Sequence, residues 1–239
     1  MNRILIQDKH LIAPNTYKIT DPSVLEHIHQ VLDKKVGEQL KCCLIDEGLY
    51  TGVVKDLNQS EIIIGLLNEV PSVKTSIELY IGLSRPPTCQ KILEHGTTLG
   101  VNSFHFTRTK LGEKSFIDSK LFKEKRYEKY LKLGLAQSDS FTQFPHFHLS
   151  DHWSPQDIKG HQKFILDPFS TKTFSDVNID FNEKITLGIG PERGWHADEV
   201  EQMVSLGFER ITLGPSKLRV ELATYCALSQ LELLRPKTH

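Results

Sequence analysis

Two Gly-Pro turns are the residues whose spacing most directly suggests chemistry in this sequence. Gly190-Pro191 follows the apolar run Ile185–Ile189, and Gly214-Pro215 follows the apolar run 210–213. The segment between them has helical spacing, so the pattern predicts a strand, a glycine loop, a helix, a second strand and a second glycine loop. In such a βαβ unit both loops lie at the same end of the sheet, where α/β proteins bind ligands. We expect the two loops to wrap a flat, adenosine-like ligand through their main-chain groups.

The first of these loops does not match the two common phosphate-binding patterns. The GxxxxGK[ST] pattern is absent, and Pro191 and Glu192 follow the second glycine where a dinucleotide-binding GxGxxG loop would continue. Taken alone, the loop is also compatible with a sharp turn, but a second Gly-Pro loop on another strand favours a binding site. We interpret Glu192 as a carboxylate that fixes the loop, with a role as a site acid left open.

Arg219 and Glu221 stand where the last predicted helix, over residues 221–234, begins. A carboxylate in the first turn of a helix interacts favourably with the helix dipole, so Glu221 is either a capping group or a site carboxylate. Arg219 is either a salt-bridge partner or a cation directed at a phosphate or at negative charge that develops in a reaction. The position of Arg219 beside the second glycine loop favours a functional role.

The region 103–132 is the most basic part of the sequence. It carries nine basic and four acidic residues, a local balance of +5 in a protein whose net charge is −1. Aromatic residues are interleaved with the charges at Phe116, Phe122, Tyr127 and Tyr130. Because basic groups bind phosphates and aromatic rings stack on bases, the region predicts a nucleic-acid-binding surface, with a solvated helix face as the alternative.

The composition excludes several other classes of protein. No apolar run of about 18 residues is present, so no membrane-spanning helix is predicted, and the first residues lack the apolar segment of a signal peptide. The four cysteines form no CxxC pair, which favours a reducing, cytoplasmic location. The closest histidines, His146, His148 and His152, lack a typical zinc spacing, so no metal site is predicted.

The predicted elements that position these residues form two groups. Residues 1–70 are rich in β-type runs, which we place at 38–46, 49–57 and 61–67, after a helix over 22–32 that Asp21 caps and Pro22 opens. The polar segment 68–76 is the predicted linker. Beyond it, strands over 77–83, 101–106 and 163–166 alternate with helices over 88–99, which Thr88 caps, and over 120–137. A surface loop is predicted over 140–162, before the third of these strands. The pattern predicts a small β-barrel-like module followed by a mostly parallel sheet with helices on both faces.

Two segments of the core stretch resemble the paired signatures of a known family. LGIGPERGW followed by ITLGPSKLRVELA is similar to the IGPEGG and LG-x-x-ILR-x-ETA patterns of the RsmE family. These enzymes are methyltransferases of the SPOUT superfamily that act on uridine N3 in small-subunit rRNA. Near the start of the sequence, Arg3 before an apolar run, residues 29–32 and Gly37-Glu38 are similar to elements of the family's PUA-like RNA-binding domain. The resemblance covers nearly the full length, and the core stretch is its most specific part.

The resemblance implies a fold, a cofactor and a set of partners. The fold would be α/β, with a PUA-like β-barrel RNA-binding domain over residues 1–72 and a SPOUT methyltransferase domain over residues 73–239. The C-terminal segment of the second domain would be threaded as a trefoil knot, a rare exception among folds. The cofactor would be S-adenosylmethionine, the substrate ribosomal RNA, and the enzyme a homodimer.

The resemblance also implies which residues form the site. Contacts with the cofactor fall on Leu166, Gly188, Ile189, Gly190, Pro191, Gly194, Leu213, Gly214, Lys217 and Leu218. Arg219 would act in catalysis or orient the RNA, and Glu221 is the candidate base. The predicted RNA contacts are Arg3, Arg108, Lys110, Lys125, Arg126 and Lys129.

The sequence departs from the family pattern inside the core stretch. Arg193 stands where the first pattern has a glycine, and Leu222 occupies the central position of the ETA element. The leading prediction is methylation of a 16S rRNA uridine at N3 with S-adenosylmethionine as donor. The departures leave two alternatives open: a non-catalytic RNA-binding or ribosome assembly factor on the same scaffold, and a knotted methyltransferase with another RNA target, such as tRNA or a ribose 2′-hydroxyl.

Overall fold

The computed structural model describes residues 3–152, 154, 158 and 162–236 and divides the protein into two compact units. The first unit contains the residues up to 74 together with 135–144, and the second contains 75–134 and the residues from 145 onward. Segment 135–144, which lies within the predicted second domain over 73–239, belongs to the first unit. Main-chain hydrogen bonds hold the segment in the first unit, among them Val73 N–H to the Ser140 carbonyl at 2.8 Å.

The first unit is built on a six-stranded sheet with the order β1-β4-β5-β6-β3-β2. Its strands are β1 (Ile4–Ile6), β2 (Leu11–Ala13), β3 (Thr16–Ile19), β4 (Gln39–Leu44), β5 (Gly48–Leu57) and β6 (Ile62–Val70). β1 pairs with β4 in parallel, and the other pairs are antiparallel. Helix α1 (Pro22–His27) continues into a π-helical turn, Ile28–Leu32. The predicted cap is confirmed, because Asp21 accepts a hydrogen bond from Ser23 N–H at 2.9 Å.

Two adjacent cysteines show how the first sheet separates its faces. Cys42 belongs to the main apolar core of this unit, whereas Cys43 packs in a second cluster with Leu49 and Leu135. Alternation along β4 sends the two thiols to opposite faces. Burial raises the pKa of each thiol to about 12, so both act as packing residues.

The second unit contains a fully parallel sheet with the order β12-β10-β11-β7-β8-β9. Its strands are β7 (Ile77–Gly82), β8 (Val101–Thr107), β9 (His146–Ser150), β10 (Gln162–Leu166), β11 (Ile185–Ile189) and β12 (Glu209–Ile211). The helices are α2 (Pro86–Thr98), α3 (Lys120–Lys123), α4 (Tyr127–Gln137, which passes into the first unit at residue 135), α5 (Ala197–Ser205) and α6 (Val220–Leu234). The predicted α/β architecture with a parallel sheet is confirmed.

Helices cover both faces of this sheet. Gly96 of α2 lies against Phe104, and α2 in turn packs on α6. On the opposite face, Met203 of α5 packs in a cluster with Ile165. This arrangement leaves the carboxyl ends of the strands at one edge, where the loops that follow them meet.

Three predicted elements differ from the structure. Helix α2 begins at Pro86 instead of Thr88, because proline is well suited to the first helical position, where its missing N–H is not needed. The single helix predicted over 120–137 is interrupted between α3 and α4, where Lys125 has φ +51°. The predicted loop 140–162 contains the edge strand β9.

Candidate functional site

A cleft of about 990 Å³ lies in the second unit at the carboxyl ends of β10, β11 and β12. These strands are parallel neighbours, so the loops that follow them converge at one edge of the sheet, as the sequence predicts. The lining is formed by residues from these loops and from the beginnings of α2, α5 and α6: Arg85, Thr88, Leu166 to Phe169, Ile189 to Trp195, Ala197, Val200, Glu201, Arg210 to Leu213 and Ser216 to Ala223 except Leu222.

The first glycine loop forms a narrow wall of the cleft. A Cβ atom added to Gly190 would lie 3.0 Å from the Cα and the carbonyl carbon of Gly194 and from the backbone nitrogen of Trp195. Gly194 has φ +76°, a conformation that favours glycine. The loop therefore folds back closely on itself, and a side chain at position 190 would crowd its backbone.

Neighbouring elements hold this loop in place. A Cβ atom added to Gly82, at the end of β7, would collide with the ring of Pro191. Oε1 of Glu192 accepts a hydrogen bond of 3.0 Å from the main-chain N–H of Arg85, the residue that precedes α2. This geometry supports the interpretation of Glu192 as the carboxylate that fixes the loop.

The second glycine loop has its own hydrogen bonds. Gly214 has φ +135°, and its carbonyl accepts a hydrogen bond of 3.1 Å from the Thr212 hydroxyl. The Thr212 N–H donates to the Lys172 carbonyl at 2.7 Å. Gln230 of α6 reaches the carbonyl of Leu213 at 3.4 Å. The loop is thus fixed from both sides in front of α6.

Arg219 and Glu221 flank the first turn of α6 inside the cleft. Arg219 is the residue before the helix and is exposed, whereas the Glu221 side chain is only 14% exposed. Lys91 of α2 lies 3.8 Å from Oε1 of Glu221. The cleft therefore places an accessible guanidinium beside a nearly buried carboxylate, a pair that can bind an anion and accept a proton.

Tyr225 lies one helical turn beyond Glu221. In the part of the protein that the structure describes, its hydroxyl is buried without a hydrogen-bond partner. Burial, followed by the charges of Glu221 and Glu94, raises the pKa of Tyr225 above its ordinary value. The phenol is therefore protonated at neutral pH.

Positive charge predominates on the accessible walls of the cleft. Among the described residues, Arg85, Arg193, Lys217 and Arg219 are exposed and have no carboxylate within ion-pairing distance. Arg210 differs, because its Nε lies 2.7 Å from Oδ2 of the buried Asp167. The exposed cations give the cleft the charge expected of a site for a polyanion.

The structure brings most of the predicted cofactor residues into this cleft. Leu166, Ile189, Gly190, Pro191, Gly194, Leu213, Lys217 and Leu218 line it, together with Arg219 and Glu221. Gly188 lies inside β11, where an added Cβ would be 2.9 Å from Cγ2 of Ile165, and Gly214 lies in the second loop outside the lining. These two glycines shape the site through the backbone without lining it.

Arg3 has a different role from the predicted RNA contact. The residue is buried, with Nε donating to the Ser138 carbonyl at 3.1 Å and the guanidinium pairing with the Asp139 carboxylate at 3.2 Å. Arg3 therefore binds segment 135–144 inside the first unit, and the structure corrects its assignment to an RNA-binding surface.

The other predicted RNA contacts lie on the second unit in different environments. Arg108 pairs with Asp151, Lys110 with Asp198 and Arg126 with Glu124. Lys125 and Lys129 are exposed, and no described carboxylate pairs with them. Two of the interleaved aromatic rings are unavailable for bases, because Phe122 and Tyr127 pack on Phe147.

Several cleft residues were missed in the sequence. Asp167 and Phe169 follow directly after a correctly predicted strand, and that position is a signal for ligand contact in an α/β sheet. Arg85 lies beyond the end of β7 in the same way.

Two general features of the described residues bear on the site. No group of three or more histidine, cysteine or acidic residues in this part of the protein is arranged to hold a metal ion. Within the same residues, no helix is long and apolar enough to cross a membrane.

Solved structures with the same fold support this description. A ribosomal RNA small subunit methyltransferase E from Neisseria gonorrhoeae, bound to S-adenosyl methionine, superimposes with a TM-score of 0.78 at 20% identity over 98% of each protein. A putative methyltransferase from Legionella pneumophila in complex with the same cofactor gives 0.76 at 22% identity over 98% of each protein. At this identity the likeness establishes the fold.

Curated relatives match nearly the full length of the sequence. "Ribosomal RNA small subunit methyltransferase E" of Treponema pallidum is 27% identical over 95% of this protein and 89% of its own length. The protein of the same name from Bacillus subtilis is 27% identical over 92% of both proteins. The sequence model of the family described as "RNA methyltransferase domain" matches residues 71–232. The resemblance found in the two glycine-loop signatures is thus confirmed, and the chain belongs to the RNA methyltransferase domain family.

Proposed function

We propose that this protein transfers a methyl group from S-adenosylmethionine to N3 of a uridine in small-subunit ribosomal RNA. The observation that carries the proposal is the cleft itself, in which two glycine loops face the exposed Arg219 and the nearly buried Glu221. The names of the curated relatives support a small-subunit rRNA substrate.

The residues of the cleft fit the proposed cofactor. The first loop lines the cleft and is compact at Gly190, where an added Cβ would lie 3.0 Å from backbone atoms of Gly194 and Trp195. A cleft of about 990 Å³ is at the upper end of the range of roughly 300–1,000 Å³ for small-molecule sites. Leu166, Ile189, Leu213 and Leu218 supply apolar contacts, and the two loops supply main-chain groups. When bound, S-adenosylmethionine supplies a methyl group on a positively charged sulfur, which a nucleophilic nitrogen can attack directly.

Arg219 acts on the acceptor base in this proposal. Uracil N3 must lose its proton to become a good nucleophile, and the resulting negative charge spreads to the neighbouring carbonyl oxygens. The guanidinium, which has no carboxylate partner among the described residues, can donate two hydrogen bonds to such oxygens. It thereby stabilises the anion and aligns the base for reaction.

Glu221 is the group placed to take the N3 proton. Its carboxylate lines the cleft and is ion-paired with Lys91 at 3.8 Å. Tyr225, one turn further along α6, is protonated at neutral pH and does not act as the base. A paired uridine would hide N3, so the base must enter the cleft unpaired or flipped out of its helix.

Further features extend the proposal. We infer that the segment from β12 to α6 threads a trefoil knot, supported by a strand order in which β10 lies between β11 and β12. We also infer that the six-stranded sheet of the first unit forms a PUA-like RNA-binding barrel. The enzyme is a homodimer in this proposal, and it acts in the cytoplasm, where ribosomes assemble. Lys125 and Lys129, with Arg108, Lys110 and Arg126, would contact RNA phosphates.

Transfer of a labelled methyl group tests this proposal. Small subunits from a strain lacking the enzyme are incubated with the pure protein and labelled S-adenosylmethionine, and binding of the cofactor is measured separately by calorimetry. Wild-type protein should label the rRNA. Arg219→Ala should lower the rate by about 100-fold or more, the range for loss of one charge-stabilising donor, with little change in cofactor affinity.

Two further variants control for general effects. Arg219→Lys keeps the positive charge but loses the bidentate hydrogen-bond donor, so its rate of methyl transfer should lie between those of wild type and Arg219→Ala. Arg235→Ala removes an arginine that pairs with Glu232 outside the cleft and should keep full activity. RNA binding without methyl transfer by the wild-type protein would contradict the proposal and favour an assembly factor.

A further inference from the structure

Phe169 is an apolar residue in an unusual position. It is 74% exposed and lies on the loop that follows β10, at the rim of the cleft. A single exposed apolar residue needs no explanation in general, but a large aromatic ring beside a polar ligand site is typical of a contact surface.

The loop that carries Phe169 is firmly held. Oδ1 of Asp167 accepts a hydrogen bond from the Phe169 N–H at 2.9 Å, while Oδ2 of the same carboxylate pairs with Arg210 at 2.7 Å. The Ser170 hydroxyl donates to the Arg210 carbonyl at 2.7 Å, and the Ser170 N–H donates to the Asp167 carbonyl at 3.1 Å. The ring is thus presented to solvent on a pre-organised support, which lowers the entropic cost of binding.

A cation lies beside this ring. Nζ of Lys217 is 4.9 Å from the ring centroid, a cation–π distance, and Lys217 follows the second glycine loop. Arg219, two residues further on, lines the same cleft. The rim therefore combines an open aromatic surface with positive charge that no described carboxylate neutralises.

We propose that Phe169 and Lys217 form a stacking site for an unpaired base of the RNA substrate at the entrance of the cleft. A nucleotide is the class of ligand that offers both a flat π-face for Phe169 and a phosphate for Lys217. This inference rests on the proposed function, because it assigns two residues of the same site to the RNA. The adenine of the cofactor is the competing occupant, and the experiment separates the two.

The experiment compares Phe169→Leu, which keeps apolar bulk without an aromatic face, with Phe169→Trp, which keeps the face. The first readout is the Kd of a short, labelled, unpaired RNA containing uridine, measured by fluorescence anisotropy. The second is the Kd of S-adenosylmethionine by calorimetry. The third is the KM of methyl transfer to small subunits. Val204→Ala, which alters an exposed apolar residue of α5, is the matched control.

Phe169→Leu should raise the RNA Kd and the KM by about tenfold, corresponding to about 1.4 kcal/mol for one lost stacking contact. Phe169→Trp and Val204→Ala should stay within about twofold of wild type, and Phe169→Leu should keep the wild-type cofactor Kd. Lys217→Ala should weaken RNA binding and reduce the slope of log Kd against log salt by about 1, because one phosphate contact is lost.

Three results would overturn the inference. The first is an unchanged RNA Kd in Phe169→Leu, and the second is a loss of cofactor affinity equal to the loss of RNA affinity. The third is a change of molar mass in light scattering without an RNA effect, which would assign Phe169 to contact between copies of the protein. If the wild-type protein binds RNA but does not methylate rRNA, the proposed function fails, and the RNA Kd values still decide the role of Phe169.

Discussion

The main-chain N–H of Arg85 donates a hydrogen bond of 3.0 Å to Oε1 of Glu192, and this bond joins two elements that are distant in sequence. Arg85 precedes α2, and Glu192 lies in the first glycine loop. The bond fixes the loop at the wall of the cleft, which both residues line. The same loop is packed from behind by Gly82, against the ring of Pro191.

Loss of this bond should weaken cofactor binding. Glu192→Ala removes the acceptor, and we expect the Kd of S-adenosylmethionine to rise roughly fivefold to tenfold, in line with about 1 kcal/mol for a hydrogen bond. Glu192→Gln keeps a carbonyl oxygen at the same reach and should stay within about twofold of wild type. Calorimetry measures both. Equal affinities for the alanine variant and wild type would show that the bond does not hold the loop.

Substitution of Gly190 should weaken cofactor binding through sterics. In Gly190→Ala the new methyl group would lie 3.0 Å from backbone atoms of Gly194 and Trp195, so the loop must shift by a few tenths of an ångström. Gly207→Ala is the control, because Gly207 has φ +86° outside the cleft and no atom within 4 Å of an added Cβ. The control should lose about 1 kcal/mol of stability but bind cofactor normally. Normal cofactor binding by Gly190→Ala would show that this close backbone approach is not needed for the binding site.

The ion pair between Asp167 and Arg210 should contribute more to stability than the exposed ion pair between Glu209 and Lys172. Asp167→Ala removes a 7% exposed carboxylate that binds both Arg210 and the Phe169 N–H. We therefore expect the free energy of unfolding to fall by about 1–3 kcal/mol. Glu209→Ala breaks the pair with Lys172, in which both partners are largely exposed, and should cost at most about 1 kcal/mol. Thermal unfolding compares the two variants, and equal midpoints would contradict the ranking.

Stability should fall in acid because of His105. Burial, followed by the charges of His148, Lys184 and His146, lowers the pKa of His105 from 6.5 to about 4. Between these pH values the unfolded state binds more protons than the folded state, so the free energy of unfolding declines as pH falls from 6.5 to 4. With partial exposure of the ring taken into account, the loss is on the order of 1 to 3 kcal/mol.

Urea unfolding at several pH values checks this dependence. His105→Gln should flatten the decline of the free energy of unfolding toward acid pH. The ring of His105 stacks between Tyr80 at 4.1 Å and His148 at 4.5 Å, so the substitution will also lower stability at neutral pH. The slope against pH, rather than the absolute value, is therefore the deciding quantity. The same slope in His105→Gln and wild type would contradict the assignment.

The core of the site was predictable because its signals are local. Apolar runs that end in Gly-Pro turns fix both the strands and the loops, and parallel strands place those loops at one edge. The positions of Gly190, Leu213 and Arg219 in the cleft follow from this pattern. The family resemblance identified the cofactor and the substrate. Residue spacing alone indicated only an adenosine-like ligand.

The remaining errors have both distant and local causes. The resemblance assigned Arg3 to RNA binding, but the carbonyl of Ser138, far along the sequence, binds it in the interior. The break at Lys125 is invisible in the helical spacing of 120–137, since lysine is a good helix former. Strand β9 was hidden by its histidines, although Phe147 and Leu149 alternate with polar residues in the pattern of a strand.

The identity of the methylated nucleoside tests the central claim most directly. Small-subunit rRNA from a strain lacking the enzyme is treated with the wild-type protein and S-adenosylmethionine, digested to nucleosides and examined by mass spectrometry. The proposed roles of Arg219 and Glu221 predict 3-methyluridine, in an amount that Arg219→Ala strongly reduces. A methyl group on a ribose, or on tRNA added in the same reaction, with no 3-methyluridine in the rRNA, would contradict the claim.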